Sequence, residues 1–264
     1  MRGSEPAQQT AGDRWSLAQF GVDGRLIDWD FEGMGDALGM YPENLAFGYW
    51  VDLNVSEDLN NATVMTLPTS VGLMYNDQLY PSKIERVSWG VFDDNIVEFH
   101  WIKPYKRTGY GLAIPYHGYQ MIPLNTDLFN VMGMPTLFGT QVAVEKVLDV
   151  IAGESPTTER FVLPYEENDD LQVSCLGIKE LESSNVKPPI GGDYQEFYLG
   201  VSQSEDGYSL KAKYFAPGDG VKAKAQKLAG DHGLEVSESD GILEVAGPIE
   251  SGALPGTLGA FLAS

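Results

Sequence analysis

From residue 15 onward, short runs of β-branched and aromatic residues alternate with turn signals. Residues 15–31 (WSLAQFGVDGRLIDWDF) carry an Asp23-Gly24 turn between two strand-like runs. Residues 45–55 (LAFGYWVDLNV), 62–67 (ATVMTL), 70–75 (SVGLMY), 83–92 (KIERVSWGVF), 95–102 (NIVEFHWI) and 109–116 (GYGLAIPY) read as further strands. This spacing predicts an antiparallel, sheet-rich body over residues 15–182. Within it, residues 140–152 break the two-residue period. Val144, Val147, Leu148 and Ile151 recur at helical spacing, and Gly153 suits the stop, which predicts a helix.

Residues 152–170 read as a connector, and the Ser/Pro/Gly content of 183–193 (SSNVKPPIGGD) reads as a linker. Beyond it the pattern becomes more regular. A hairpin spans 194–216 with Asp206-Gly207 at its turn, and Asp219 can cap a helix over 220–230. A second hairpin follows with Asp240-Gly241 at its turn. The expected fold class is α+β and sheet-rich: an antiparallel β body with one or two helices, then a smaller C-terminal β-β-α-β-β unit over 190–247. A polar arm (1–14) and an apolar tail (248–264) flank these.

The hairpin over 83–102 carries the most suggestive chemistry. A three-residue loop, Asp93-Asp94-Asn95, would pair Val91 with Val97, Trp89 with Phe99 and Val87 with Trp101, all on one side. Ser88 would then lie opposite His100, with Glu98 two residues along the same strand and Arg86 diagonal. Directly opposed side chains are ~4.5–5.5 Å apart at Cβ, close enough for a Ser–His hydrogen bond. Ser88, His100 and Glu98 are therefore candidates for a base-activated nucleophile, although no G-x-S-x-G elbow accompanies them. The plainer reading is the polar face of a sheet.

Residues 115–138 (PYHGYQMIPLNTDLFNVMGMPTLF) hold one charge, Asp127, and are rich in Tyr and Met. Three prolines and two glycines argue against a long helix. Such a segment must be covered, either by the chain's own core, by a small-molecule pocket with Tyr116 and His117 as polar handles, or by a neighbouring subunit.

Composition narrows the functions. The 264 residues include 43% hydrophobic positions, so a core can form, and the net charge is -21 with only 17 Lys plus Arg. A field of that sign opposes nucleic acid and anionic membranes, so neither is expected as a partner. No apolar stretch approaches the ~18–20 residues of a membrane span, and the N-terminal residues lack the apolar region of a signal peptide. The expected setting is soluble, in a virion or cytoplasm. Cys175 is the single cysteine, in LQVSCLGI, where it reads as buried and inert. With only His100, His117 and His232, no multi-histidine metal centre is expected, and no cofactor motif is present. Acidic runs stand at 52–60 and 166–170, and the first lacks the central glycine and the terminal glutamate of a calcium loop. Lys211, Lys213, Lys222, Lys224 and Lys227 make a local basic concentration that could meet an acidic surface on another copy.

Two functions follow. The first is a structural, self-associating subunit of a larger assembly, such as a virion, with the chain itself or other protein subunits as partners. The second is a β-rich enzyme or carrier of a small, largely apolar molecule. There Glu98 and His100 would form an acid–base pair, and Tyr116 or His117 would orient the ligand.

Overall fold

The computed structural model describes residues 17–59, 61, 71–80, 83–103, 107–166, 168–181 and 187–263. The expected polar arm over 1–14 and the expected strand over 62–67 lie outside them. The fold is α+β and sheet-rich, as the alternation predicts. The strands are β1 (Ile27–Asp28), β2 (Phe47–Asp52), β3 (Lys83–Phe92), β4 (Asn95–Lys103), β5 (Ile114–Tyr116), β6 (Tyr119–Pro123) and β7 (Leu128–Val131). They continue with β8 (Gly133–Met134), β9 (Thr136–Thr140), β10 (Leu171–Leu176), β11 (Glu196–Ser204), β12 (Gly207–Phe215), β13 (Glu235–Ser239) and β14 (Ile242–Ile249). The helices are α1 (Met34–Leu38), α2 (Val71–Leu79), α3 (Gln141–Ala152), α4 (Ile178–Leu181), α5 (Asp219–His232) and α6 (Leu254–Leu262). Twelve of the strands form one antiparallel sheet in the order β13-β14-β12-β11-β10-β2-β3-β4-β9-β7-β6-β5, while β1 and β8 pair separately in parallel.

The C-terminal β-β-α-β-β order appears as expected in β11, β12, α5, β13 and β14. Its strands continue the same sheet, because β10 bridges β11 on one side and β2 on the other. The helix expected over 140–152 is α3. Thr140 caps it by accepting the Ala143 N–H, and Gly153 closes it with φ of 75°.

Both sheet faces are covered. One face carries Phe47, Tyr49, Val51, Val87, Trp89, Val173, Leu199, Ala212 and Val245. It is packed under Val221 and Ala225 of α5 and Leu254, Leu258 and Phe261 of α6. The other carries Trp50, Val97, Phe99, Trp101, Val131 and Leu137 and is packed under α1, Tyr41 and α3. A smaller apolar cluster of Leu17, Tyr80, Ile102, Ile122, Met132 and Phe138 lies at the β4–β9 end, with Tyr75 and Leu79 packed against it.

This double cover explains several departures from the sequence expectation. The 83–102 hairpin pairs Trp89 with Glu98, Val87 with His100 and Ser88 with Phe99, one residue away from the expected register. Its loop is two residues, Asp93 and Asp94, both at positive φ (44° and 58°). Asn95 is not a loop residue. Its amide donates to Asp93 O at 2.7 Å, and its carbonyl oxygen accepts from the Thr140 hydroxyl at 2.8 Å, which ties the hairpin to the start of α3.

Residues 71–75, expected as part of a strand, belong to helix α2, and residues 17–20 form a 3-10 turn rather than a strand. Within the expected linker, Pro189 and Ile190 are buried, and Ile190 N–H donates to Ala263 O. Residues 115–138 form β5 to β8 and the start of β9, with Met121, Val131, Met132, Leu137 and Phe138 buried in the chain's own core. The apolar tail is likewise covered from within, through Leu254, Leu258 and Phe261 of α6.

Candidate functional site

The register fixes where each candidate side chain sits. Residues directly opposed in a sheet share a face, and neighbours along a strand alternate. Glu98 and His100 therefore share the face of Trp89 and Val87, whereas Ser88 lies on the opposite face. There the Ser88 hydroxyl is 2.7 Å from Tyr41 Oη and donates to Tyr49 O at 3.1 Å. The expected Ser88–His100 contact does not form, and a Ser-His-Glu nucleophile is excluded by topology.

Glu98 and His100 do meet. Their Oε2 and Nε2 atoms are 3.0 Å apart, and the two residues are 2% and 0% exposed. The Gly72 N–H in the first turn of α2 donates to the same Oε2 at 3.1 Å. With Glu98 accepting from both, Nε2 is the ring nitrogen that donates to it. His100 Nδ1 has no hydrogen-bond partner among the described residues.

The polar seam extends along α2. Gly72, Asn76 and Tyr80 are four residues apart and fall on one helical stripe. Tyr80 N–H donates to Asn76 O, continuing the helical bonding. At the far end Tyr80 Oη donates to Asn130 Oδ1 at 2.9 Å and lies 3.1 Å from Thr136 Oγ1, while Asn130 Nδ2 donates to Thr136 Oγ1 at 2.7 Å. Thr136 is the cross-strand partner of His100. Between these ends sits Asn76, fully buried, with neither Oδ1 nor Nδ2 partnered among the described residues. The seam thus holds three polar atoms without a partner among the described residues, bordered by the apolar cluster of Ile102, Phe138 and Leu79.

A second centre lies on the other face, at the β5 edge of the sheet. Tyr116 and His117 close the β5–β6 turn against the end of α3. Tyr116 Oη donates to Asp149 Oδ1 at 2.8 Å. His117 Nε2 is 2.9 Å from the same oxygen, and Nδ1 is 3.5 Å from Glu154 Oε1. The Asp149 hydrogen bond, then burial and the charges of Asp149, Glu145 and Glu154, push the Tyr116 phenol up to about 12. The sequence brought forward Tyr116 and His117 but not Asp149 or Glu154, whose approach depends on how α3 packs. His100 and Tyr116 occupy separate centres.

A polar network stands on the face away from α5. Glu166 lies 2.9 Å from Lys211 and 3.1 Å from Lys213, which hold its carboxyl below the ordinary range. Tyr198 Oη donates to Asp169 at 2.7 Å, and burial raises the Asp169 carboxyl. Lys211 and Lys213 thus project from one side of the sheet, while Lys222, Lys224 and Lys227 ride on α5 at the other. The five lysines do not form one patch. Lys222 is paired with Glu238 at 2.6 Å, and Lys224 donates to Ile190 O. Cys175 is fully buried and burial raises its thiol, as expected for an inert core cysteine.

These features define an antiparallel α+β fold with a buried polar seam under a helix. The same fold class appears in the solved structures of TP0453. Its crystal form I matches with a TM-score of 0.52 and 9% identity over 88% of this chain and 100% of that one. Its crystal form III matches with 0.51 and 11% over 84% and 96%. The likeness is one of fold. No protein-family model and no curated protein matches the sequence. Among the described residues no helix is long and apolar enough to cross a membrane.

Proposed function

We propose that the protein binds a small, largely apolar molecule carrying one polar group, and holds it without converting it. The polar group would sit in the seam beneath α2, against His100 Nδ1 and the Asn76 amide, and the apolar body would lie along Ile102, Phe138 and Leu79. The observation that carries this reading is the set of three buried polar atoms with no partner among the described residues. A buried unsatisfied group costs about 1–3 kcal/mol, so a seam with three of them favours an occupant that supplies the missing hydrogen bonds. In the neutral ring Nδ1 would accept, which would select a hydroxyl or amide donor, and Asn76 can both donate and accept. Binding rather than catalysis is favoured because the one nucleophile expected beside His100, Ser88, faces the other way. The other role, a self-associating subunit, drew in part on residues 115–138 and 248–264, and the main apolar side chains of these two segments pack in the chain's own core.

The chain has only three histidines, so ring ¹⁵N resonances report on each separately. Titration with 1-decanol as the probe is expected to move the His100 ring signals saturably, with its methyl ether, which cannot donate, much weaker. Unmoved His100 signals up to the solubility of decanol would overturn the proposal, and would leave the seam to an internal water.

A further inference from the structure

We propose that His117, Asp149 and Glu154 form a surface site for a divalent transition-metal ion, with Zn²⁺ the natural occupant. One ring nitrogen of His117 and one oxygen from each carboxylate lie within 4.8 Å of one another. Tetrahedral zinc takes nitrogen and oxygen ligands at ~2.0–2.2 Å, so two ligands on one ion are ~3.3–3.6 Å apart. Rotation of the Glu154 carboxylate, on a side chain that is 64% exposed, closes the remaining gap.

The local architecture gathers these groups from separate elements. His117 is at φ of 47° in the turn between β5 and β6, which swings its ring toward the end of α3. Asp149 is in the last turn of that helix. The Glu154 N–H donates to Asp149 O at 2.8 Å, so the chain folds back past Gly153 and sets Glu154 beside it. A helix C-terminus carries partial negative charge, which adds to the two carboxylates in favouring a cation. Tyr116 supplies the outer support. Its hydroxyl donates to Asp149 Oδ1 and orients that carboxylate, as partners of metal ligands commonly do. Arg25 is a basic group beside this turn, with its side chain along Gly118 and over the Tyr119 ring. Three ligands, one nitrogen and two oxygens, would leave a zinc ion with an open position for water.

The test uses the full chain and Zn²⁺ itself, with calorimetry at neutral pH. Wild type is expected to bind one equivalent. His117→Asn keeps a residue that tolerates positive φ and is expected to weaken this binding at least tenfold, with an unchanged melting temperature in the absence of metal. Glu154→Gln is expected to weaken it several-fold. Ring ¹⁵N spectra should show Zn²⁺ moving His117 while His100 and His232 stay in place. Absence of stoichiometric binding to wild type would overturn the proposal, as would Zn²⁺ binding equally well to His117→Asn. In either case the cluster is a histidine ring held between two carboxylates.

Discussion

The Gly72 N–H donates to Glu98 Oε2 at 3.1 Å, and a Cβ placed on Gly72 would lie 2.5 Å from that same oxygen and 2.7 Å from His100 Cε1. Helix α2 approaches the sheet this closely only because residue 72 has no side chain. Gly72→Ala must either push α2 outward or break the Glu98–His100 pair, since both carboxylate and ring are buried and have nowhere to move. Overpacking of this kind costs about 1–3 kcal/mol, which outweighs the gain in helix propensity of ~1 kcal/mol for Ala over Gly. Urea unfolding should show a lower midpoint, and a stabilised variant would contradict the contact.

The two-residue turn of the β3–β4 hairpin gives a prediction of opposite sign. Asp93 and Asp94 both hold positive φ, the geometry for which Asn-Gly is preferred. The Asp93 carboxylate is engaged with Lys146 at 2.5 Å, whereas no ion pair is formed by Asp94 among the described residues. Asp94→Gly should therefore stabilise the protein by about 0.5–1 kcal/mol through relief of left-handed strain. Unchanged or reduced stability in thermal melts would argue for the three-residue loop that the sequence suggests.

That hairpin also shows where sequence legibility ends. Alternation and turn residues were enough to read most strands, the α3 helix with its Gly153 stop, and the β-β-α-β-β order, because those signals are local. Register is different. A one-residue slip is resolved by pattern only when one face is wet, and β3 and β4 are covered on both faces, so Trp89 and Glu98 can be partners without violating any alternation. The irregular look of residues 115–138 has a similar cause. Pro115, Gly118, Pro123, Gly133 and Pro135 fall within or between very short strands, where they punctuate a meander rather than abolish it. Of the candidate site, Glu98–His100 and Tyr116–His117 were each legible as neighbours in sequence. Asn76, Asp149 and Glu154 come from elements distant in the chain and carry no local signature.

Glu196 offers a pH test. Its carboxyl is 2% exposed and accepts the N–H groups of Val162 at 2.7 Å and Leu163 at 3.1 Å. Burial raises it above the ordinary 4.5, and those two hydrogen bonds offset part of the rise. A carboxyl raised in the folded state holds its proton more tightly folded than unfolded. Its stabilising contribution is therefore present below 4.5 and is lost as pH climbs through the raised value. Glu196→Gln cannot titrate. The stability of wild type minus that of the variant should fall as pH rises from about 4 toward neutrality. The raised Asp169 and lowered Glu166 remain in both proteins and cancel in the difference. A difference that rises with pH would mean the carboxyl is stabilised, not penalised, by its surroundings.

Asn76 separates stability from function. Its amide is fully buried and neither polar atom is matched among the described residues, so the fold bears the desolvation cost. Leucine keeps the same number and branching of side-chain heavy atoms and adds apolar contact beside the cluster that includes Leu79 and Phe138. Asn76→Leu should therefore raise the unfolding free energy by about 1–3 kcal/mol, or several degrees in melting temperature. If the seam is a binding seat, the same change removes one of the two groups that meet the ligand's polar end, and the decanol-dependent shift of the His100 ring should weaken at least tenfold. Gain of stability with loss of binding is the signature of a site held open at a structural cost. A less stable Asn76→Leu protein would show that Asn76 is already satisfied, and binding retained in full would show that the seam is not where the molecule sits.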